Sequence, residues 1–278
     1  MATIRDAATV ILLRDTDAGV ETLLLRRRRG ASFMASAFVF PGGGVDAGER
    51  NEVAALRELF EEAGVLIAVD AAGVPATAAQ AVALRTRVVA GESATAVLGD
   101  AGLTWAIEAL HPWSHWITPS VEPKRFSATF WVARLPAGQQ PAFDTTETVE
   151  QRWTTCADAL ANVGELRLPP PQIRTLYEML SFASVADVVT AASQRALAPA
   201  SILPRAAAHP RGLCLLLPWD PQYNVDGQGD ALPMDPVPAW ATGPTRFVLD
   251  GQTWRYQHVQ DGAGDASPDA LAGQPEAV

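Results

Sequence analysis

Three glutamates, Glu58, Glu61 and Glu62, follow a Pro41-Gly42-Gly43-Gly44 turn in a chain of 278 residues. On a helix that advances about 100° per residue, carboxylates at i, i+3 and i+4 lie within roughly a third of a turn of one another. Like charges that close repel unless a cation compensates them. Hard divalent cations do so through oxygen ligands, and Mg²⁺ usually keeps waters and substrate phosphate oxygens in its octahedron. Glu58, Glu61 and Glu62 are therefore candidate ligands of Mg²⁺ or Mn²⁺, with Glu58 and Glu61 also candidate catalytic groups. Arg57, four residues before Glu61, is placed to hold that carboxylate. Gly42 and Gly43 let the backbone turn and approach a ligand closely, and a helix N-terminus presents free N–H groups that suit phosphate. Metal-assisted cleavage of a diphosphate is the chemistry this set would serve.

The elements that position these residues are legible around them. Phe38-Val39-Phe40 reads as a strand that stops at Pro41, and Glu52–Ala63 has helical periodicity with Val53, Leu56, Leu59 and Phe60 on one stripe. Upstream, Ala7–Leu13 and Thr22–Leu25 read as paired strands around a turn at Asp15–Gly19. Arg26 to Arg29 follow the second strand; since alternate side chains of a strand face opposite ways, Arg27 and Arg29 are candidate phosphate contacts. Downstream, 72–92 and 101–110 read as helices. Ser114–Thr118, Ser127–Arg134 and Glu147–Thr155 read as strands, and Thr155–Asn162 and Pro171–Ala183 as helices. Past about residue 200 the chain changes character, with short strand signals at Leu213–Leu217, Arg246–Leu249 and Thr253–Val259 and a polar tail from Gly262 that reads as disordered. A main domain over 1–198, with a helical insertion at about 72–110, and an extension over 199–278 are expected.

Composition excludes several alternatives. A hydrophobic content of 48% allows a full core, and no stretch reaches the roughly 18 consecutive apolar residues of a membrane span. Arg5, Asp6 and Arg14 interrupt any signal-peptide core, so a cytoplasmic protein is expected. A formal net charge of −10 argues against wrapping a nucleic-acid backbone, while a small anion bridged by metal remains compatible. Cys156 and Cys214 have no ligand or nucleophile spacing and read as buried thiols. His111, His115, His209 and His258 likewise form no ligand pattern.

The frame Gly43-x5-Glu49-x7-Arg57-Glu58-Leu59-x-Glu61-Glu62-x-Gly64-Val65 resembles the Nudix box of the Nudix hydrolase superfamily at every fixed position. Seven fixed residues agree by chance with a probability of about 10⁻⁸ at average residue usage. The resemblance implies an α/β/α sandwich around a central mixed sheet, with Glu58 and Glu62 as direct metal ligands. It also implies Glu61 as a further ligand or water holder, Arg57 as a structural partner and Glu49 as a support for the loop. The 147–153 segment, Glu147-Thr-Val-Glu150-Gln-Arg-Trp153, resembles the region that often supplies one more carboxylate; Glu147 is the preferred catalytic candidate and Glu150 the alternate.

Outside the box, 32–43 and 111–133 resemble the branch that contains peroxisomal coenzyme A diphosphatases and their bacterial relatives. By that likeness Trp116, Thr118, Glu122 and Arg125 are candidate substrate contacts. The chain departs from the branch in having no His-x-Gly between the arginines and Phe40-Pro41-Gly42-Gly43, and no insertion inside the box. The expected activity is hydrolysis of a diphosphate in a nucleoside diphosphate linked to another moiety, coenzyme A or acyl-CoA included, with a homodimer compatible. The competing reading is a nucleotide-sensing module that has lost turnover, against which all three box glutamates stand.

Overall fold

In the computed structural model, residues 3–30, 34–143, 148–195, 201–223, 234 and 236–259 are described. β-branched and apolar residues open the chain as a hairpin, β1 (Ile4–Thr16) and β2 (Gly19–Arg27), paired from Leu13↔Thr22 to Thr16↔Gly19. β3 (Phe38–Val39) pairs with β2, and β4 (Gly42–Gly44) lies antiparallel to β1 with Gly42 opposite Thr9. α1 (Asn51–Ala63) follows and ends at Gly64, whose φ of 68° and N–H bond to the Phe60 carbonyl make a left-handed cap.

β5 (Ala68–Asp70) leads to α2 (Ala78–Val89), which starts at a capping box between Thr77 and Gln80, then to α3 (Ala94–Asp100) and β6 (Leu103–Trp105). The expected helix over 101–110 is not formed. Its residues 103–105 pair instead with β5, Ala68 opposite Trp105, and only a single 3-10 turn at Ile107–Ala109 is helical. Long-range pairing overrides local propensity there, and a glycine at φ 69°, Gly102, starts the strand.

β7 (His111–Ile117), β8 (Arg125–Arg134) and β9 (Thr148–Thr155) complete most of the main sheet. Helices α4 (Cys156–Ala161), α5 (Val163–Leu166), α6 (Pro170–Met179) and α7 (Val185–Ser193) follow, then a short edge strand, β10 (Ser201–Ile202). The sheet runs β10-β7-β8-β1-β2-β3, with β4 also on β1 and β9 also on β2. It is mixed: β1 runs parallel to β8 from Ile4↔Arg125 to Leu13↔Arg134, and β10 is parallel to β7.

Because strand side chains alternate, both faces of β1 are apolar and both are covered. Ala8, Val10 and Leu12 pack with Leu23, Leu25 and Ala133 under Ala55, Leu56 and Leu59 of α1. Ile11, Leu13, Leu24, Phe130 and Val132 pack on the other face against Cys156, Leu160, Ile173, Leu176 and Val188. The result is the α/β/α sandwich. Val53, expected on the apolar stripe, is only half-buried; Ala54 and Ala55 take that place.

A second, antiparallel sheet, β11 (Arg205–His209), β12 (Gly212–Leu216), β13 (Arg246–Asp250) and β14 (Thr253–Gln257), adds Leu215 and Phe247 to the second core. Its own anchor is Asp220, buried and gripped by Arg246 through two bonds of 2.8 and 2.7 Å and by the Thr245 hydroxyl at 2.7 Å. Both cysteines are free and buried, and burial pushes the thiols up to about 12 for Cys156 and about 11 for Cys214, far from a reactive thiolate. The tail expected from Gly262 lies outside the described residues. Among the described residues no helix is long and apolar enough to cross a membrane.

Candidate active site

The site is assembled where β4 passes the exposed side of α1. Gly42 presses so close to β1 that a Cβ there would meet the Ala8 carbonyl oxygen within 2.4 Å, so no larger residue fits the strand. A Cβ on Gly43 would lie 2.5 Å from all three atoms of the Glu58 carboxylate group. One glycine thus lets the strand pair, and the next leaves room for a helix carboxylate against its backbone. Glu62, 6% exposed, accepts the Gly42 N–H at 2.9 Å. Two of the box glutamates therefore sit against consecutive glycines.

Arg57 organises the remainder. Its Nε donates to one Glu49 oxygen and its Nη2 to the other, both at 2.9 Å; Nη2 also donates to the Gly44 carbonyl at 2.9 Å. Nη1 bonds Glu58 at 2.8 Å and Glu61 at 3.1 Å. Glu49 in turn accepts the Asp46 N–H at 3.0 Å, closing the loop ahead of the helix. The bond from Arg57 holds the Glu49 carboxyl below the ordinary carboxylate range, and its partners raise the Arg57 guanidinium further. Glu61 goes the other way: burial pushes its carboxyl up, more than the adjacent Arg57 brings it down.

The first turn of α1 is fixed by a clip that sequence reasoning missed. Asn51 donates to the Ala7 carbonyl at 3.1 Å and accepts from the Trp131 indole at 2.7 Å, tying the helix to β1 and β8 at once. An Asn at the start of the helix was the available signal, but its partners lie 44 and 80 positions away.

Hard carboxylate oxygens on one helix face suit a divalent cation. As the side chains stand, Glu58 and Glu61 turn toward Arg57 and Glu62 toward Gly42, and no three acidic, His or Cys residues among the described ones converge tightly enough to cage an ion. The donor chemistry therefore fits an ion held by one or two carboxylates and completed by other oxygens, which is the usual Mg²⁺ arrangement.

The other candidates are scattered. Arg27 ends β2; its N–H bonds the Ala37 carbonyl at 3.0 Å and its Nε is buried without a hydrogen-bond partner. Arg29 is exposed beyond the strand. Arg26 pairs with Glu150 at 3.3 Å, and Glu150 also meets Arg152 at 3.2 Å, so the alternate carboxylate is engaged in surface ion pairs. Glu147 lies outside the described residues. Trp116 is 4% exposed and packed in the core on the sheet face away from α1, so its ring presents no open face for stacking. Arg125 donates to the Thr118 carbonyl at 2.9 Å, and Thr118 Oγ1 accepts the Phe126 N–H at 3.0 Å. These bonds close the β7–β8 connection, in which Glu122 N–H bonds the Pro119 carbonyl at 3.1 Å.

The packing of Glu58 on Gly43 makes a direct test. Gly43→Ala is expected to lower activity by about a hundredfold, since a shift of about 1 Å in a reacting group has that effect, while the melting temperature changes little. Assay of the purified variant beside a thermal melt reads both; full activity would show that the Glu58 position is irrelevant.

Comparison with known proteins places these features. A family model described as NUDT19 Nudix domain matches residues 50–180, and one described as NUDIX domain matches residues 3–82. The chain is 35% identical over 193 residues to putative nudix hydrolase 7 of Caenorhabditis elegans, covering 66% of this chain and 62% of that relative. It thus spans less than two thirds of that relative's length. Identity to the acyl-coenzyme A diphosphatase NUDT19 of Homo sapiens is 26% over 275 residues, covering 75% of this chain and 73% of the human protein. Among solved structures, the NUDIX hydrolase from Alicyclobacillus acidocaldarius superposes with a TM-score of 0.59 at 26% identity, covering 68% of this chain and 97% of that one.

Proposed function

Because the chain belongs to the Nudix hydrolase superfamily, we propose that it hydrolyses the diphosphate linkage of a nucleoside diphosphate joined to another moiety, using Mg²⁺ or Mn²⁺. The observation that carries this reading is the seating of Glu58 and Glu62 against Gly43 and Gly42, which puts two carboxylates and a strand backbone at one place. Glu58 and Glu62 would hold the ion. A divalent cation bound there supplies Lewis-acid charge and activates water at neutral pH.

The chain's own groups do the positioning. Arg57 fixes the Glu49 loop and steadies Glu58 and Glu61, so that the carboxylates face the ligand in one arrangement. Glu61, whose proton affinity burial raises, is assigned as the base that takes the proton of the attacking water. Arg27, with its buried, unpartnered Nε, is assigned to the substrate phosphates. Coenzyme A and acyl-CoA head the substrate series, supported by the match to the NUDT19 Nudix domain and the likeness to the human acyl-coenzyme A diphosphatase.

The test is a screen of coenzyme A, acyl-CoA, dinucleotides, nucleotide sugars and ADP-ribose with Mg²⁺ or Mn²⁺. Hydrolysis of at least one at its diphosphate linkage, each product carrying one new phosphomonoester end, and its abolition by EDTA, are expected. Saturable binding with no product from any of them would favour a sensing module instead.

A further inference from the structure

On the sheet face away from α1, three full charges lie in the interior. Arg174 and Glu178 stand one turn apart on α6, and Arg195 lies just beyond α7, with side chains 1%, 7% and 5% exposed. Glu178 bridges the two cations, at 3.0 Å from Arg174 Nη2 and 2.6 Å from Arg195 Nη1. Arg195 also lies over two indoles, 4.3 Å from the Trp113 ring centre and 4.2 Å from that of Trp240. Arg174 lies 5.3 Å from the ring of Trp219, which meets Trp240 edge to face at 5.8 Å. The cluster joins β7, α6 and the chain after α7 to the segments that flank the second sheet.

Two guanidinium groups and one carboxylate leave one buried positive charge, which is costly unless something compensates it. Unpartnered donors also outnumber unpartnered acceptors in the cluster. Arg174 Nη2 donates to the Trp240 carbonyl at 3.0 Å, but Arg174 Nε and Nη1, Arg195 Nε and Nη2, and the indole N–H groups of Trp113 and Trp219 are buried with no hydrogen-bond partner among the described residues, as is one acceptor, Glu178 Oε2. Groups like these rarely remain unsatisfied in a folded protein. On one guanidinium, Nε–H and Nη2–H point the same way as a planar fork that matches two oxygens of one anion. In Arg195 both prongs of that fork are unpartnered, and its ring contacts and its ion pair with Glu178 hold the plane still. Burial lowers the proton affinity of Arg174, a cost that a neighbouring anion would offset.

We propose that the Nε–Nη2 fork of Arg195, with Arg174 beside it, is a binding site for a small planar oxyanion carrying one negative charge: a carboxylate or an isostere such as formate or nitrate. This site is separate from the diphosphate chemistry, since it lies across the sheet from α1 and uses none of the box residues. One charge matches the excess of the cluster, and planarity matches the fork. An occupant would satisfy at least two open donors and fasten the second sheet to the sandwich through Trp219 and Trp240.

The experiment uses the full chain labelled with ¹⁵N. Sodium formate, nitrate, phosphate and chloride are titrated at constant ionic strength while the arginine Nε–H and tryptophan indole resonances and the melting temperature are followed. Formate and nitrate are expected to move the buried arginine and indole signals saturably and to raise the melting temperature to a plateau, with chloride and phosphate doing neither. Arg195→Lys keeps the cation but removes the fork, and is expected to weaken formate binding at least tenfold while leaving diphosphate hydrolysis unchanged. Equal effects of all four salts, an absence of saturable shifts, or an unchanged formate response in Arg195→Lys would each overturn the site. Should that variant not fold, the titration of the unaltered chain decides alone.

Discussion

Glu62→Gln is expected to lower kcat by at least about a thousandfold, roughly 4 kcal/mol of barrier, with little change in melting temperature. The reasoning starts from the bond that holds this side chain: Glu62 Oε2 accepts the Gly42 N–H at 2.9 Å. A glutamine carbonyl oxygen accepts the same bond, so the packing of β4 on α1 survives the change. What disappears is the charge, and with it the affinity for a hard cation, because a neutral amide is a far weaker ligand than a carboxylate. Initial rates at saturating Mg²⁺, beside a thermal melt, separate the two effects. Near-wild-type turnover in a folded variant would remove Glu62 from the metal site and with it the main support for the proposed reaction.

Arg57→Lys is expected to act on stability as well as rate, costing about 3 kcal/mol. Arg57 is only 13% exposed and serves both Glu49 oxygens, Glu58, Glu61 and the Gly44 carbonyl through three nitrogens. A lysine ammonium has three donors at one point and cannot span that set, so these half-buried carboxylates lose part of their pairing. The loss depends on pH in a definite sense. The folded-state pKa of Glu49 is depressed by Arg57, so its contribution is present above the unfolded carboxylate range and is lost as pH falls through the folded value. The stability gap between the parent and Arg57→Lys is therefore expected to be widest near neutrality and to close in acid. Denaturant unfolding at neutral and acid pH measures it, and a gap independent of pH would show that the Arg57–Glu49 pair contributes nothing.

Glu61 marks the opposite electrostatic case. Here burial raises Glu61 despite the same arginine at 3.1 Å. Perturbation by burial beside a specific charge partner is the pattern of functional carboxylates.

What was legible in the sequence was local. The period of α1, the turn of Gly42 to Gly44, the strands around them and the complete box frame all depend on residues within about 25 positions of one another, and the spacing of a helix converts directly into a shared face. The role of Arg57 toward Glu61 followed from the same short range, and that of Glu49 toward its loop was implied by the resemblance. The helix read over 101–110 failed because its residues find strand partners some 35 positions away, at 68–70. α7 was also not foreseen.

The amino-acid sequence by itself determined the carboxylate helix and the class of chemistry it suits, because both rest on spacing along one element, while the sandwich was implied by the resemblance of the box. Only the tertiary structure decided which atoms face one another. Arg57 in fact serves Glu49, Glu58, Glu61 and the Gly44 carbonyl together, Asn51 clips α1 to two strands, and Arg195 finds Trp113, Glu178 and Trp240. The last two of these join residues tens of positions apart whose identities carry no periodic signal. Burial, which sets the value of every charge among them, exists only once the sheets and helices have packed.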